Sequence, residues 1–430
     1  MDRDIINKLR IWKKKDDRKP LVLKGARQVG KTFILKKFGE EFRNCHYINF
    51  EKTRSAHALF DRDLEPVEII RSLETFLKIS IEPDKDLIIF DEIQECPLAL
   101  TSLKYFAEER PDFCITAAGS LLGVRTGEGS FPVGKVDIME IFPMSFSEFL
   151  TSTGDERLIE LLTPASLKKI NEGIHSKIIT RLTEYMCVGG LPEVVLTWVK
   201  SKKFEFVREK QSEIIEMYMN DIAKHSGKVN AMHIRTVFES IPSQLARELG
   251  KFVFKDVIPG RQSYRDLASP IDWLVNAGLI YKIKINNKPQ IPLDAYTKEN
   301  TFKLYYFDVG ILGAVSGFDF RLLLNFITEN LIYKGFFLEN LVLQELVMAG
   351  LKNRIYSWVH NESEIEFLTV LDGIVVPIEV KTRKNRKAKS LSSYIERYSP
   401  KKAIRLSLDC SNEKSGKILV DYPAYMAASF

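Results

Sequence analysis

Short apolar segments alternate with longer amphipathic segments along the first 155 residues of the chain. The apolar segments have the length and composition of β-strands, and they cover residues 21–24, 45–49, 86–91, 113–118 and 136–141. Strands that alternate with helices are typical of parallel sheets, because each helix carries the chain back to the start of the next strand. The pattern therefore predicts an α/β core with a parallel five-stranded sheet over residues 1–158.

A glycine-containing loop joins the first predicted strand to the helix after it. The loop and its flanks read Gly25, Ala26, Arg27, Gln28, Val29, Gly30, Lys31, Thr32 and Phe33, which contains the complete pattern G-x-x-x-x-G-K-T. Glycine lets backbone N–H groups and a helix N-terminus approach a phosphate closely. Lys31 is then placed to contact the β- and γ-phosphates, and the Thr32 hydroxyl to bind Mg²⁺. These residues are the predicted cofactor-binding set, with ATP and Mg²⁺ as cofactors.

Two further predicted strands end in the polar side chains that such a loop needs. Asp91 and Glu92 follow the apolar run 87–90. We expect Asp91 to bind the Mg²⁺ and Glu92 to act as the general base that activates the attacking water. Ser120 ends the fourth strand, where it would either contact the γ-phosphate or cap the following turn. The predicted catalytic residues are thus Lys31, Glu92 and Ser120.

The middle of the chain combines apolar positions at helical spacing with one hairpin-like stretch. Residues 159–226 are predicted to be helical, and in this segment Gly189 and Gly190 end one helix and Pro192 begins the next. Residues 227–325 contain short helices followed by strands at 279–285 and 302–307, a pattern of winged-helix modules. Such a module contacts DNA in some proteins and serves as a packing or protein-binding element in others.

Carboxylates and a lysine form a second candidate site in the last hundred residues. Glu339 lies on a predicted helix, Glu366 on a predicted strand, and Glu379 and Lys381 on the strand after it. Alternate residues of a strand share a face, so these acids and the ammonium group would lie together. Two carboxylates that bind Mg²⁺ beside a lysine suit phosphodiester cleavage. An exposed strand with alternating charge gives Glu-x-Lys equally well.

Composition limits the class of protein. A chain of 430 residues is too long for a single core. No apolar run reaches the length of about 20 residues that a membrane span requires, and the N-terminus lacks the apolar core of a signal peptide. The cysteines are odd in number and form no CxxC pair, which favours a reducing cytoplasmic location: Cys45, Cys96, Cys114, Cys187 and Cys410.

The net charge of +6, with a pI of about 8.8, is only mildly basic, so any contact with nucleic acid depends on where the charges lie. Basic residues gather at 8–19 and again at 381–389. Such runs either contact phosphate or form a solvated face. DNA, RNA and a protein partner therefore remain open, as does the oligomeric state, and no membrane partner is expected.

Taken together, the segments 25–32, 90–94, 118–120, 142–149 and 189–193 resemble the prokaryotic AAA-type ATPases of unknown role. The tail 364–381 is similar to the PD-(D/E)xK nuclease fold that ends those proteins. The resemblance implies an AAA+ P-loop core (1–158), a helical lid (159–226), a winged-helix module (227–325) and an α+β restriction-endonuclease-like domain (326–430). It also implies that Pro192 lies against the adenine. This chain has Lys135 where the family usually has arginine, and Glu366 where the tail usually has aspartate.

Three functions follow as hypotheses. The first is an ATPase whose hydrolysis cycle acts as a switch or motor, coupled to nucleic-acid or protein binding. The second is an ATP-licensed, metal-dependent nuclease that uses Glu366, Glu379 and Lys381. The third is an ATP-dependent protein-interaction switch without catalysis in the tail.

Overall fold

The computed structural model describes residues 3–61, 63–120, 132–247, 249–260, 263–319, 333–382, 389–410 and 418–429. The chain divides into two compact units. The first unit is Met1–Phe142 with Asn276–Gly278, and the second is Pro143–Val275 with Leu279–Phe430. The division of the sequence into four domains stays a prediction.

The first unit is built on a parallel five-stranded sheet, as the sequence predicts. Its strands are β1 (Leu21–Gly25), β2 (Asn44–Asn49), β3 (Asp86–Asp91), β4 (Cys114–Ser120) and β5 (Asp137–Glu140). Their order across the sheet is β2-β3-β4-β1-β5, with every pairing parallel. Every residue of β3 is buried, which explains why its sequence is a continuous apolar run rather than an alternating one.

Helices cover this sheet and are amphipathic for that reason. They are α1 (Ile5–Lys13), α2 (Lys31–Gly39), α3 (Pro66–Leu77) and α4 (Pro97–Glu109). In α1 the buried residues Ile5, Leu9 and Trp12 recur at helical spacing. Trp12 lies against Phe38 of α2, with ring centroids 6.2 Å apart, and its indole N–H donates to the Lys19 carbonyl at 2.9 Å. The N-terminal helix is therefore packed on the helix that follows the phosphate loop.

The second unit combines helices with a mixed seven-stranded sheet. The helices are α5 (Phe146–Thr153), α6 (Glu172–Val188), α7 (Pro192–Ser201), α8 (Phe204–Ser226), α9 (Lys228–Leu245), α10 (Tyr264–Asn276), α11 (Val309–Val315), α12 (Tyr333–Leu346) and α13 (Lys389–Tyr398). The strands are β6 (Ile280–Asn286), β7 (Thr297–Tyr306), β8 (Tyr356–His360), β9 (Ser363–Leu371), β10 (Ile374–Lys381), β11 (Ala403–Ser407) and β12 (Leu419–Pro423). Across the described part of the chain, no helix is both long enough and apolar enough to cross a membrane.

The predicted hairpin is present, but it belongs to a larger sheet than the sequence indicates. β6 and β7 pair antiparallel, and β6 also pairs in parallel with β8, where Ile285 is opposite Ser357 and Asn286 is opposite Trp358. The strand order is β12-β11-β10-β9-β8-β6-β7. This one sheet runs across the predicted boundary at residue 325, because the pairing joins segments about 70 residues apart that local periodicity does not connect.

The paired glycines lie where two chain segments approach too closely for a side chain. α6 ends at Val188 and α7 begins at Pro192, which confirms the predicted helix end and start. A Cβ on Gly190 would lie 2.1 Å from the Met144 carbonyl oxygen, and one on Gly189, where φ is +77°, would lie 2.2 Å from Asp308 Oδ1. The Gly190 N–H donates to Asp308 Oδ2 at 2.6 Å. Within the second unit, this segment is therefore a tight packing junction.

A buried carboxyl near this junction gives the second unit a pH-dependent stability. Glu345 on α12 accepts a hydrogen bond from the Phe146 N–H at 2.9 Å, and burial raises its pKa from 4.5 to about 7. The folded state thus holds the proton more tightly than the unfolded state does. The resulting stabilisation is complete below about pH 4.5 and is lost as the pH rises through about 7.

Glu345→Gln is expected to match wild type near pH 5 and to be more stable than wild type at pH 8, by on the order of 2 kcal/mol. Glutamine stays neutral at both values, and its amide oxygen keeps the acceptor for Phe146. Urea unfolding of the full chain at the two pH values measures the difference. The exposed Glu209, replaced by glutamine, is the control and should follow wild type. Equal destabilisation of Glu345→Gln at both pH values would show that the carboxyl is not held protonated.

Candidate functional site

The phosphate loop runs from the end of β1 to the first residue of α2. Two residues of the loop have left-handed backbone conformations, Gln28 with φ of +67° and Gly30 with φ of +92°. Gly25 is required for a different reason, since a Cβ there would lie 2.5 Å from the Ile141 carbonyl oxygen. The loop ends at the N-terminus of α2, whose first N–H groups have no partner in the helix and favour an anion. This geometry is suited to a phosphate group.

Lys31, the first residue of α2, is folded back onto the loop. Its ammonium group donates to the carbonyl oxygens of Gly25 at 3.0 Å and Ala26 at 2.9 Å. The residue is only 8% exposed, and burial lowers the pKa of its ammonium group to about 8, although Glu92 and Asp91 oppose the shift. Lys31 is therefore still charged at neutral pH. A phosphate bound at the helix N-terminus would give that charge a stronger partner than two carbonyl groups do.

Asp91, at the end of β3, is the centre of a hydrogen-bond network. Its Oδ2 accepts from the Thr32 hydroxyl at 2.9 Å, the Tyr47 hydroxyl at 2.7 Å and the Asn49 amide at 3.3 Å. Burial and the bond to Asp91 raise the pKa of Tyr47 to about 12, so Tyr47 stays a donor. The Thr32 hydroxyl and the Asp91 carboxylate are hard oxygen donors already in contact, which fits the ligands that Mg²⁺ prefers. These two residues are the ones that would hold it.

Glu92 and Ser120 complete the predicted set. Glu92 follows Asp91 in a left-handed conformation with φ of +50°, and its backbone N–H donates to Asp91 Oδ1 at 3.1 Å. Ser120 ends β4 directly opposite Gly25 in the parallel pairing of β4 with β1. The structure therefore brings the loop, Asp91, Glu92 and Ser120 to one edge of the sheet, at the carboxyl ends of β1, β3 and β4.

Sequence reasoning missed three residues at this edge. Tyr47 and Asn49 are alternate residues of β2, and Asn49 is paired with Asp91 in register. The rule that ligands bind at the carboxyl ends of parallel strands would have suggested them. Arg3 is 7% exposed and donates to the carbonyl oxygens of Val29 at 3.1 Å and Phe142 at 2.7 Å. Arg3 thus links the loop to residue 142 through two hydrogen bonds, and no sequence pattern indicates this contact.

Three further positions that the sequence singles out lie within the described residues. Phe33 is 54% exposed on α2, one residue after Thr32, and remains a candidate for contact with the nucleotide. Pro192 is the first residue of α7 in the second unit, and its contact with adenine stays a prediction. Lys135, at the family's usual arginine position, forms an ion pair with Glu108 at 2.8 Å.

The residues of the predicted nuclease set lie in one charged cluster of the second unit. The Lys381 ammonium lies 2.8 Å from Glu366 Oε1 and 3.7 Å from Glu379 Oε1. The other oxygen of Glu366 accepts a hydrogen bond from the Val380 N–H at 3.0 Å. Glu339 accepts one from the Tyr305 hydroxyl at 3.0 Å. β9, β10, β7 and α12 thus each contribute to the cluster.

A lysine that the sequence analysis did not select, Lys303 on β7, is buried in the same cluster. It is 1% exposed and forms ion pairs with Glu364 and, at 3.9 Å, with Glu339. Burial lowers the pKa of Lys303, whereas Glu339 and Glu366 oppose that shift. Lys303 precedes the predicted nuclease domain (326–430) in the sequence. It joins the cluster because β7 pairs with β6, which belongs to the same sheet as β9 and β10.

Glu379 carries the most strongly buried carboxylate of the cluster. It is fully buried, and neither of its oxygens accepts a well-aligned hydrogen bond from a described residue. Burial raises its pKa to about 7, although Lys381 opposes the shift. Burial also raises the pKa of Glu339. Within the described ranges, no group of three or more His, Cys, Asp or Glu side chains is arranged to hold a metal ion. The ammonium groups of two lysines and the carboxyl groups of Glu339, Glu366 and Glu379 thus lie together in this cluster.

Comparison with protein families gives three matches along the chain, the first over residues 17–150, to the AAA domain (AAA_14). The chain carries an AAA-type ATPase domain. This AAA domain contains the phosphate loop, Asp91, Glu92 and Ser120. Residues 179–321 match a domain of unknown function (DUF8612), and residues 334–425 match another domain of unknown function (DUF4143). Comparison with curated proteins gives no match.

Solved structures from two other organisms are similar to parts of the chain. The Walker-type ATPase PABY2304 of Pyrococcus abyssi is 14% identical with a TM-score of 0.44, over 73% of this chain and 95% of that one. PCH-2 of C. elegans is 13% identical with a TM-score of 0.27, over 50% of this chain and 70% of that one.

Proposed function

We propose that the AAA domain binds Mg²⁺-ATP at the phosphate loop and hydrolyses it, and that the bound nucleotide acts as a switch for a partner held through the second unit. The observation that carries this proposal is the convergence of Lys31, Thr32 and Asp91. Thr32 Oγ1 lies 2.9 Å from Asp91 Oδ2, and Lys31 starts the helix whose N-terminus faces the loop. The N-terminus of α2, which suits a phosphate, thus lies beside the Lys31 ammonium group and the oxygen atoms of Thr32 and Asp91, which suit Mg²⁺.

Each residue has a defined part in the proposed reaction. The N–H groups at the start of α2 and the Lys31 ammonium bind the β- and γ-phosphates. Thr32 and Asp91 would hold the Mg²⁺, which neutralises charge on those phosphates when it is bound. Glu92 takes a proton from the attacking water, and the Ser120 hydroxyl contacts the γ-phosphate. Hydrolysis separates the γ-phosphate from the nucleotide and so changes the charge at the loop. In a nucleotide switch, this change of charge alters the conformation of the protein.

The direct test is phosphate release by the full chain. Wild type with ATP and Mg²⁺ should release inorganic phosphate continuously, and the release should stop when EDTA removes the Mg²⁺. Absence of phosphate release in the presence of Mg²⁺ would contradict hydrolysis.

The partner is proposed to be nucleic acid or protein, and the charges of the first unit bear on the choice. Within the basic segment 8–19, Arg10 pairs with Glu41, and Arg18 with Asp84. Lys13 donates to the Glu41 carbonyl at 2.7 Å. The segment 383–388 of the second basic cluster lies outside the described residues. These cations already have acceptors in the protein, and a contact with phosphate would have to replace those acceptors. Binding of nucleic acid through lysine and arginine side chains should weaken steeply as the salt concentration rises.

Nuclease activity of the second unit is the alternative that we expect to fail. Lys381 lies 2.8 Å from Glu366 and Lys303 lies 3.9 Å from Glu339, and we expect these ammonium groups to oppose the binding of a divalent cation by the same carboxylates. Labelled single-stranded DNA, double-stranded DNA and RNA should stay intact with Mg²⁺ or Mn²⁺, with and without ATP. Cleavage that is lost in both Glu379→Gln and Lys381→Met, but kept in Glu209→Gln, would establish the alternative and overturn this expectation.

A further inference from the structure

The turn that follows Glu92 contains an amide side chain with an unusual pair of contacts. Gln94 lies in the short 3₁₀ turn Ile93–Glu95, directly after β3. Its Nε2 donates a hydrogen bond of 2.5 Å to Glu92 Oε2. Its Oε1 is buried, and no described residue donates a hydrogen bond to it. The side chain is therefore tied to the proposed general base at one end and lacks a donor at the other.

The chemistry of the two side chains determines which amide atom of Gln94 contacts Glu92. The Gln94 nitrogen is the amide atom that can donate to a carboxylate oxygen, and it lies 2.5 Å from Glu92 Oε2. Turning the amide over would place two oxygens against each other. Oε1 is consequently the acceptor that lacks a donor. A buried acceptor without a partner costs about 1–3 kcal/mol, and a water molecule or ligand that donates to it removes that cost.

We infer that Gln94 is a second residue that positions the attacking water, with its Oε1 accepting one water proton while Glu92 accepts the other. This inference rests on the proposed function, since it needs hydrolysis at this site. With both protons directed at these acceptors, a lone pair of the water oxygen is available to attack the γ-phosphorus. The new bond joins that oxygen to phosphorus, the bond from phosphorus to the β–γ bridging oxygen breaks, and Glu92 receives the proton. ADP and phosphate are the products.

Gln94 would have a second effect on the same step. Its Nε2 holds the Glu92 side chain in one orientation, so the base is fixed in the left-handed turn before the nucleotide arrives. Preorganisation of this kind lowers the barrier without adding affinity for ATP. A loss of Gln94 should therefore reduce kcat and leave ATP binding unchanged.

The test compares three full-length variants by single-turnover phosphate release and by ATP affinity. Gln94→Met keeps the shape of the side chain and removes both hydrogen bonds, so kcat should fall about 100-fold with an unchanged Kd for ATP. Gln94→Glu keeps an acceptor but sets a second carboxylate beside Glu92, which disfavours the ionised base. The acid limb of its pH–rate profile should therefore move to higher pH. Glu95→Gln, in the same turn and exposed, should equal wild type.

The outcomes separate this inference from the proposed function. If wild type releases phosphate and Gln94→Met does so at the same rate, the inference is wrong and the ATPase proposal stands. If Gln94→Met loses ATP affinity together with its activity, Gln94 has only a structural role, which also overturns the inference. If the pH–rate profile of Gln94→Glu matches wild type, Gln94 does not lie beside the working base. If wild type itself releases no phosphate, both proposals fail.

Discussion

Lys31→Met is expected to weaken ATP binding by the full chain strongly. The substitution keeps the length and apolar stem of a buried side chain but removes the ammonium group, which now donates to the carbonyl oxygens of Gly25 and Ala26. In the bound state that group contacts two phosphates, and charge-assisted hydrogen bonds of this kind contribute about 1.5–3 kcal/mol each. The Kd for ATP should therefore rise about 100-fold or more.

Titration with a fluorescent ATP analogue measures this effect, with Lys104→Met as the control. Lys104 is exposed on α4 of the same unit and should bind the analogue as wild type does when it is replaced. Thermal melting without nucleotide tests whether Lys31→Met still folds. Wild-type affinity in a folded Lys31→Met protein would mean that the phosphate loop is not the nucleotide site.

Glu92→Gln is expected to separate binding from hydrolysis. Glutamine has the same shape as glutamate but cannot take the proton from water, so kcat should fall about 1,000-fold while the affinity for ATP remains. The hydrogen bond from the Glu92 backbone N–H to Asp91 is kept, because it does not involve the side chain. Phosphate release and nucleotide retention on the same sample measure both quantities.

Glu95→Gln again provides the matched control, since it carries the same substitution three residues further along the turn. It should hydrolyse ATP at the wild-type rate and should not retain the nucleotide. Equal hydrolysis by wild type and Glu92→Gln would exclude Glu92 as the base and would leave the base unidentified.

The five strands and the phosphate loop could be predicted because local patterns determine them. Apolar runs such as 87–90 mark strands that are buried on both faces, and the spacing from Gly25 to Thr32 is the one typical of phosphate loops. The residues that surround the loop could not be predicted in this way. Arg3 reaches Val29 and Phe142 across 26 and 139 residues of sequence, so no local pattern contains the contact.

In the second unit, too, the sequence patterns did not predict contacts between distant segments. The strands β6, β7, β9 and β10 were predicted at close to their observed positions, whereas β11 and β12 were not. The pairing of β6 with β8, which unites the strands in one sheet, was not predicted either. Lys303 enters the charged cluster through that pairing. The sequence places one ammonium group, that of Lys381, beside Glu339, Glu366 and Glu379, and the structure adds a second, that of Lys303. Interpretation of the cluster therefore required the tertiary structure.

Calorimetric titration of the full chain with a non-hydrolysable ATP analogue and Mg²⁺ tests the central claim most directly. The account predicts one binding site per chain, an affinity that falls when EDTA removes the Mg²⁺, and strongly weakened binding to Lys31→Met. An absence of binding to wild type would contradict the account, as would binding that neither Mg²⁺ nor Lys31 affects.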